Sequence, residues 1–249
     1  MTAQKTANSV PIPILTYHQI AQAPPKGAPY RSLYVAPRDF SRQMAILKML
    51  GYRGLSMGDL QPYLQGQKHG KVVGITFDDG YFNNLTHALP VLRQYGFTST
   101  CYAVSELLGK TNAWDIPNGI AQVPLMTSAQ LREWIAGGQQ VGAHTRNHVH
   151  LPLISAQDCV EEIVQSRLDL EAGVAGAVAH FCYPYGDFNA DTVAKVGSAG
   201  FESATTTRRG RCYQGESMLE LPRVPVLRST SRLVFCLKLV SRYEDKRRS

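Results

Sequence analysis

Short apolar runs of strand length alternate with segments of helical periodicity along almost the whole chain. Such repeated strand–helix units favour parallel strands with right-handed crossovers, and about seven of them favour a closed or nearly closed barrel over an open sheet. The apolar runs cover residues 12–17, 72–77, 99–104, 141–143, 180–183, 201–204 and 222–226. The helical segments cover residues 39–50, 83–95, 127–135, 155–172 and 190–198, and a further helix follows the last strand.

One long helix is expected to bury an apolar stripe. It covers residues 155–172, and helical spacing places four of its apolar side chains on one face. The stripe comprises Val160, Ile163, Val164 and Leu168.

The length of 249 residues suits one large α/β domain, and no repeat, low-complexity tract or linker divides the chain. We therefore predict a single barrel domain over residues 11–228. An N-terminal tail over residues 1–10 precedes it, and a basic C-terminal helix or tail over residues 229–249 follows it. Two long loops, residues 21–33 and 109–126, are expected to form walls of a functional groove.

Positive charge is concentrated at the end of the chain. Residues 223–249 contain eight basic and two acidic residues, a net +6 out of the +7 of the whole chain. No recognised motif or aromatic stripe indicates nucleic acid as the partner. Because the apolar stretch 233–240 lies inside the basic run, two interpretations stay open: a helix packed on the barrel with a solvated basic end, or contact with an anionic membrane surface.

Targeting and cysteine signals are few. No run approaches the roughly 20 apolar residues of a membrane span, and the first residues lack the apolar core of a secretory signal. We therefore expect a cytoplasmic protein, peripheral on the inner membrane face if the tail meets lipid.

Five cysteines without a Cys-x-x-Cys spacing argue against a disulfide framework and a structural zinc site.

Two short motifs carry the chemistry: residues 76–80, Thr-Phe-Asp-Asp-Gly, and residues 144–148, His-Thr-Arg-Asn-His. Both follow apolar strands, where α/β folds build their sites. Gly80 allows the backbone to turn so that both carboxyl groups face one pocket, and a helical turn would place both histidines on one side.

Two imidazoles and a carboxylate with an open fourth position are the pattern of a catalytic metal. Zn²⁺ is the default ion, with Co²⁺ or Ni²⁺ as substitutes. Thr145 stands where the His-Glu-x-x-His protease motif needs a glutamate, so the base must come from elsewhere, and Asp78 is the candidate.

The two motifs together resemble those of the polysaccharide deacetylases, carbohydrate esterase family four. Residues 181–186, Phe-Cys-Tyr-Pro-Tyr-Gly, resemble that family's third motif. The resemblance covers about residues 10–228 and implies a deformed (β/α)7-type barrel that removes N-acetyl groups from sugars. It also implies roles by position. Asp78 matches the base, Asp79, His144 and His148 match the metal ligands, and Tyr185 matches the residue whose backbone N–H helps to hold the oxyanion.

Two departures from the family pattern concern the base and the acid. Cys182 stands where the third motif usually has an arginine that orients the base, and we expect Arg223 to replace it near Asp78. The usual late histidine is also missing. One branch, which resembles poly-N-acetylglucosamine deacetylases, is circularly permuted and carries this histidine on an N-terminal strand. Residues 15–19, Leu-Thr-Tyr-His-Gln, resemble that strand, so His18 is the candidate general acid.

The expected function is metal-dependent N-deacetylation of an N-acetylhexosamine-containing glycan or lipid-linked glycan precursor, with Asp78 as base towards a water on the metal. Two alternatives stay open: a non-catalytic glycan-binding barrel, and an amidase or deformylase that acts on another amide. Nucleic acid is not expected. The candidate substrate-binding residues are Tyr183, Pro184, Tyr34 and Trp114.

Overall fold

Seven parallel strands close into a ring, and this ring decides where the polar loops meet. In the computed structural model, which describes residues 10–248, β1 pairs with β5 on one side and with β10 on the other. The order around the ring is β1-β10-β9-β8-β7-β6-β5. The strands are β1 Ile14–Tyr17, β2 Gln19–Ile20, β3 Tyr34–Val35, β4 Arg53–Leu55, β5 Val72–Phe77, β6 Thr100–Ala103, β7 Gln140–Ala143, β8 His180–Cys182, β9 Ser203–Arg209 and β10 Leu221–Pro225. The prediction of a (β/α)7-type barrel is confirmed.

Three strands were not predicted, and two of them are only two residues long. The third, β4, pairs with the first half of β5, while β6 pairs with its last two residues. The helix that follows β4 was also missed, because Gly58 and Pro62 weaken its pattern. It forms because Ser56 caps it and because tertiary packing buries Leu60. The small pair β2 and β3 brings Tyr34 beside Gln19.

The α-helices cover the outside of the ring and match most of the predicted segments. The segment 83–95 is divided: residues Asn84–Ala88 form a wider π turn before the α-helix, because Pro90 has no N–H to continue the ladder. The helices are α1 Pro37–Met49, α2 Met57–Leu64, α3 Leu89–Tyr95, α4 Ser128–Ala136, α5 Ala156–Val174, α6 Ala190–Ser198 and α7 Arg232–Val240.

The apolar stripe predicted for α5 is wrong. Val160 is 42% exposed and Leu168 is 50% exposed, whereas Ile163 is fully buried. The helix is rotated so that a mixed face with small and charged side chains points inward. This buried face comprises Cys159, Glu162, Ile163, Ser166, Leu170 and Val174. A buried Glu in this position signals a polar partner, and the loop that carries the two histidines supplies it, as described below.

Aromatic rings between the ring of strands and the helices form the centre of the core. Tyr17, Phe40 and Phe77 contact one another, and Trp134 packs edge-on against Phe77. The indole N–H of Trp134 donates to the carbonyl of Gln140 at 3.1 Å, so this fully buried side chain has a polar partner. Trp134 is therefore a core residue and not part of a sugar groove.

The C-terminal segment lies on the barrel. Phe235 and Leu239 of α7 are buried, and α7 contacts α1. Glu244 is fully buried between Arg209 and Lys238, and Asp245 pairs with Arg211. Residues 1–9 of the predicted N-terminal tail lie outside the described residues, and so does Ser249. No helix in the described part of the chain combines the length and apolar character that a membrane span requires.

A buried histidine should make stability depend on pH. Burial lowers the pKa of His180 to about 4, from 6.5 for an exposed histidine. Between pH 6.5 and about 4, His180 is protonated in the unfolded chain but stays neutral in the folded protein. The free energy of unfolding should therefore fall by roughly 3 kcal/mol between pH 6.5 and about 4.

Urea unfolding at pH 4.5, 5.5 and 7.5, with chelator present, measures this for the wild type and for His180→Gln. The variant should lose most of this pH dependence. Parallel curves for the two proteins would show that His180 is not its source.

Candidate active site

Polar side chains from several strands meet at the carboxyl ends of the ring. His18 follows β1, Asp78 follows β5, His144 follows β7 and Tyr183 follows β8. Because parallel strands end at the same edge, these side chains enter one pocket. The residues that line it are His18, Gln19, Tyr30, Leu33, Tyr34, Asp78, Asp79, Tyr81, Trp114, Asp115, Ile120, His144, His148, Tyr183, Tyr185 and Thr207.

The two adjacent aspartates point to different partners because the backbone turns sharply between them. Asp79 has φ 74° and Gly80 has φ 77°, so the left-handed turn begins one residue earlier than the sequence predicts. A left-handed conformation at a non-glycine residue costs on the order of 1–3 kcal/mol. A Cβ added at Gly80 would lie 3.3 Å from the Cα of Ala103, so the turn also packs tightly against β6.

The two histidines lie close together, but not on a helical turn. The expectation that a helical turn places both rings on one side is therefore wrong. Residues 144–148 form a loop in which Thr145 has φ 61° and His148 has φ 59°. The side-chain oxygen of Thr145 accepts a hydrogen bond from the N–H of His148 at 2.9 Å. This bond supports the tight loop that brings the two imidazole rings to 4.9 Å between centroids.

Asp79, His144 and His148 have the donor set and geometry that fit a divalent metal ion. Asp79 Oδ1 lies 3.4 Å from Nε2 of each histidine, and the donor atoms all lie within 4.8 Å of one another. All three side chains are buried. His144 Nδ1 lies 2.7 Å from the carbonyl of Cys182, which places its proton on Nδ1 and leaves Nε2 free as a ligand. One carboxylate and two imidazoles are typical zinc ligands.

His148 is held by aromatic rings. Its Nδ1 is buried and has no hydrogen-bond partner among residues 10–248. Trp114 stacks on its ring at 4.4 Å and 19°, and Tyr185 contacts it edge-on at 4.5 Å. The orientation of this candidate ligand therefore depends on packing, whereas that of His144 depends on a hydrogen bond.

Asp78 forms a buried two-point ion pair with Arg223. Each carboxylate oxygen lies 2.7 Å from a guanidinium nitrogen, and Arg223 also donates to Thr76 and to the carbonyl of Thr206. Burial opposes the ionisation of Asp78, but the charge and hydrogen bonds of Arg223 outweigh it and lower the pKa of this carboxyl. Arg223 comes from β10 and also contacts Cys182 Sγ at 3.2 Å, so it lies where the sequence predicts a replacement for the missing arginine.

His18 lies beside Asp78 and is open to the pocket. Its Nε2 is 3.9 Å from Asp78 Oδ2, and 24% of its side chain is exposed. Tyr185 lies at the rim with φ 58° and stacks on His150 at 3.8 Å between ring centroids. Both residues lie at the site that the sequence predicts.

The candidate substrate-binding residues divide into two groups. Trp114, Tyr34 and Tyr183 line the pocket, whereas Pro184 is buried and is not one of its lining residues. Residues from both long loops line it too, such as Leu33 from one and Trp114 from the other. The prediction that these loops form walls is therefore confirmed.

Glu162 was missed by sequence reasoning, although it holds the histidine loop in place. Its Oε2 accepts the backbone N–H groups of Arg146 and Asn147 at 2.8 and 2.9 Å, and its Oε1 accepts from the Asn147 side chain at 2.7 Å. Finding Glu162 from the sequence would have required knowing which face of α5 is buried, and the apolar pattern does not determine that face. Asp115, in the loop before α4, was missed for a similar reason, since a single loop carboxylate has no sequence signature.

A larger cleft opens at the opposite end of the ring. Its volume is about 580 Å³, against about 120 Å³ for the pocket with the histidines. It is lined by residues such as Tyr52, Tyr63 and Tyr213, and neither of the metal-type clusters found among residues 10–248 lies in it. The chemistry therefore places the candidate active site in the smaller pocket.

Comparison with known proteins agrees with this geometry. A sequence model of the polysaccharide deacetylase family matches residues 65–204, more than half of the chain. The chain belongs to the polysaccharide deacetylase family. The matched segment contains Asp78, Asp79 and both histidines, whereas His18 and Arg223 lie outside it. The predicted resemblance is confirmed, and β1 precedes the matched segment as expected for the permuted branch.

Relatives and solved structures extend the similarity. YxkH of Bacillus subtilis, named as a polysaccharide deacetylase, is 28% identical over 224 residues, which are 89% of this chain and 74% of YxkH. The Streptococcus pyogenes deacetylase PplD, solved in complex with acetate, superposes with a TM-score of 0.81 at 26% identity, over 93% of this chain and 99% of PplD. IcaB from Ammonifex degensii has the same fold, with a TM-score of 0.79 at 23% identity over 92% of this chain and 97% of IcaB.

Removal of the Glu162 carboxylate should weaken metal binding, because two backbone N–H groups of the histidine loop lose their acceptor. We expect Glu162→Ala to lower the affinity for Zn²⁺ by roughly 10- to 100-fold in isothermal titration calorimetry. Glu161→Ala is the matched control, since the Glu161 side chain is 60% exposed and its polar partner within residues 10–248 is the Arg146 side chain. Equal affinities for the two variants would contradict the role of Glu162.

Proposed function

We propose that this protein is a metal-dependent hydrolase that removes N-acetyl groups from an N-acetylhexosamine-containing glycan or lipid-linked glycan precursor. The family membership and the structural relatives support a carbohydrate deacetylase. The observation that carries the proposal is that the two adjacent aspartates have different partners. Asp79 faces the two histidines, while Asp78 is left beside them as an ionised carboxylate.

Asp79, His144 and His148 would hold the metal ion in this proposal. A bound divalent cation such as Zn²⁺ supplies Lewis acidity, which polarises a carbonyl and lowers the pKa of a water ligand to about 7. The residues themselves provide a buried cradle of fixed shape, because the turn at Asp79 and the histidine loop are both held by local hydrogen bonds and packing.

Asp78 acts as the general base. It accepts the proton of the water that attacks the amide carbonyl, and the Arg223 guanidinium keeps it ionised and correctly oriented at neutral pH. The pair is buried, so water does not compete for these hydrogen bonds. Arg223 is therefore a positioning residue for the base.

His18 acts as the general acid in the second half of the reaction. An amide anion is a very poor leaving group, so the nitrogen must be protonated as its bond to the carbonyl carbon breaks. His18 is partly exposed to the pocket and lies next to Asp78, which suits a group that delivers a proton to the departing sugar amine. The backbone N–H of Tyr185 is the proposed donor to the oxyanion.

The pocket walls suit a sugar. Trp114, Tyr34 and Tyr185 provide aromatic surface, and Asp115 and Gln19 provide polar groups. PplD was solved with acetate, the product that this reaction would release. A binding-only barrel is less consistent with the site, since a pure binder does not need an ionised carboxylate beside the residues that would hold the metal. An amidase acting on another amide would use the same groups and differ only in its substrate.

Acetate release should require both the metal and Asp78. Zinc-loaded wild type is expected to release acetate from N-acetylhexosamine oligomers or lipid-linked forms. Chelated protein and Asp78→Asn should lose at least 100-fold in rate, because the nucleophile is then no longer activated. Circular dichroism and zinc titration check that the variant folds and binds metal. Release that survives both changes would overturn the proposed mechanism, and formate release from formylated substrates would identify a deformylase instead.

We further propose that α7 contacts an anionic membrane surface. Leu233, Leu237 and Val240 form one stripe along the helix and are 71%, 37% and 57% exposed. Within residues 10–248 the nearby cations have no carboxylate partner, since Glu244 and Asp245 are engaged with arginines and a lysine of the barrel and helix. These cations are Arg228, Arg232, Arg242, Lys246 and Arg247.

Vesicle sedimentation tests this contact. The protein should sediment with phosphatidylglycerol vesicles and not with phosphatidylcholine vesicles, and the bound fraction should fall as salt screens the cations. The double change Leu233→Ser and Leu237→Ser should reduce binding several-fold, while Val160→Ser on α5 should leave it unchanged. No binding to anionic vesicles at low salt would exclude a lipid contact for this segment.

A further inference from the structure

Asp115 is a third carboxylate in the active-site pocket and has no role in the reaction described above. It lies in the loop between β6 and α4 and is 7% exposed, next to Trp114, which stacks on the ring of His148. Burial raises the pKa of Tyr185 to about 12, and the charge of Asp115 is the next contribution. Asp115 and the rim residue Tyr185 both line the pocket.

The loop that presents Asp115 is organised around a fully buried asparagine. The Asn112 side chain donates to Asp115 Oδ2 at 2.9 Å and accepts from the N–H of Val123 at 2.7 Å. Thr111 and Pro124 form a bridge at the base of the loop. The position of Asp115 is thus fixed by its own loop before any substrate arrives.

Among residues 10–248, Asp115 is the carboxylate of the pocket that has no ion-pair partner. Asp78 is paired with Arg223, and Asp79 faces two histidines that are candidate metal ligands. Asp115 has no salt bridge in the described part of the chain, and its Oδ1 has no hydrogen-bond partner there. The residues that line the pocket include no lysine or arginine. An acceptor that lines the pocket and has no partner among residues 10–248 is suited to a donor on the ligand.

We propose that Asp115 is a specificity-determining residue whose free oxygen accepts a hydrogen bond from a ring hydroxyl of the bound sugar. Its negative charge selects neutral or amino sugars at this position and disfavours sugars that carry a carboxylate or phosphate. This inference rests on the proposed function, because it takes the ligand to be a glycan. Hydroxyl recognition gives affinity, and the fixed charge gives discrimination.

Binding without turnover is the first test. The probe is a glucosamine tetramer, which has no acetyl group to release, titrated into zinc-loaded protein. Loss of a hydrogen bond to a charged acceptor should raise the Kd for Asp115→Ala about 10- to 100-fold. Asp191→Asn, which changes an exposed carboxylate on α6, should bind as the wild type does, and all three proteins should bind Zn²⁺ equally.

Kinetics with neutral and anionic substrates form the second test. For an N-acetylglucosamine tetramer, Asp115→Ala should raise KM at least tenfold and change kcat less than threefold. The wild type should strongly prefer this tetramer to a hyaluronan tetrasaccharide, whose alternate sugars carry carboxylates. Asp115→Asn, which keeps an acceptor but removes the charge, should narrow that preference at least threefold.

The outcomes separate this inference from the proposed function. Unchanged Kd and KM in Asp115→Ala, or a loss confined to kcat, would overturn the role of Asp115. A wild type that binds no sugar would overturn it too. If no substrate releases acetate but the glucosamine tetramer still binds through Asp115, the deacetylase proposal fails and the sugar contact stands.

Discussion

The buried ion pair between Asp78 and Arg223 is the interaction on which the rest of the site depends. It joins β5 to β10 across the interior of the ring, at the point where β1 lies between these two strands. Two buried charges are stable only when each has full hydrogen bonding, and here Thr76 and the carbonyl of Thr206 complete the set around the arginine. The bonds that link Arg223 on β10 to Asp78 after β5 therefore also keep Asp78, the proposed base, ionised and fixed in direction.

Local strain is concentrated at the same edge. Six non-glycine residues in the described part of the chain have a positive φ, and four of them are Asp79, Thr145, His148 and Tyr185. Each belongs to the candidate metal site or lies at its rim, and each backbone conformation persists only because its surroundings hold it. The packing of aromatic rings around His148 and the Glu162 hydrogen bonds are those restraints. The free-energy cost of these strained conformations at the site is thus offset by the packing and hydrogen bonds that surround them.

The barrel and the clustering of Asp79 with the two histidines could be predicted from the sequence because both rest on local patterns. Buried parallel strands such as 72–77 read as continuous apolar runs, and the two motifs follow them directly. The parts that were missed depend on tertiary context. The strand β4 is three residues long, α2 contains a proline, and the buried face of α5 includes Glu162, whose polar contacts an apolar pattern does not reveal. Asp115 can be recognised as a candidate only from the structure, in which it lines the pocket and its Oδ1 has no hydrogen-bond partner among residues 10–248.

The ring is closed by β1, which pairs with β5 and β10, and this strand lies outside the segment that matches the family model. Residues 65–204, which carry the family signature, include the three candidate ligands and Asp78. They include neither β1, which is followed by His18, nor β10, which carries Arg223, although these two strands lie side by side in the ring. His18, the proposed acid, and Arg223, the partner of Asp78, are therefore far apart in the sequence but come from neighbouring strands. A sequence comparison restricted to residues 65–204 would therefore miss both His18 and Arg223.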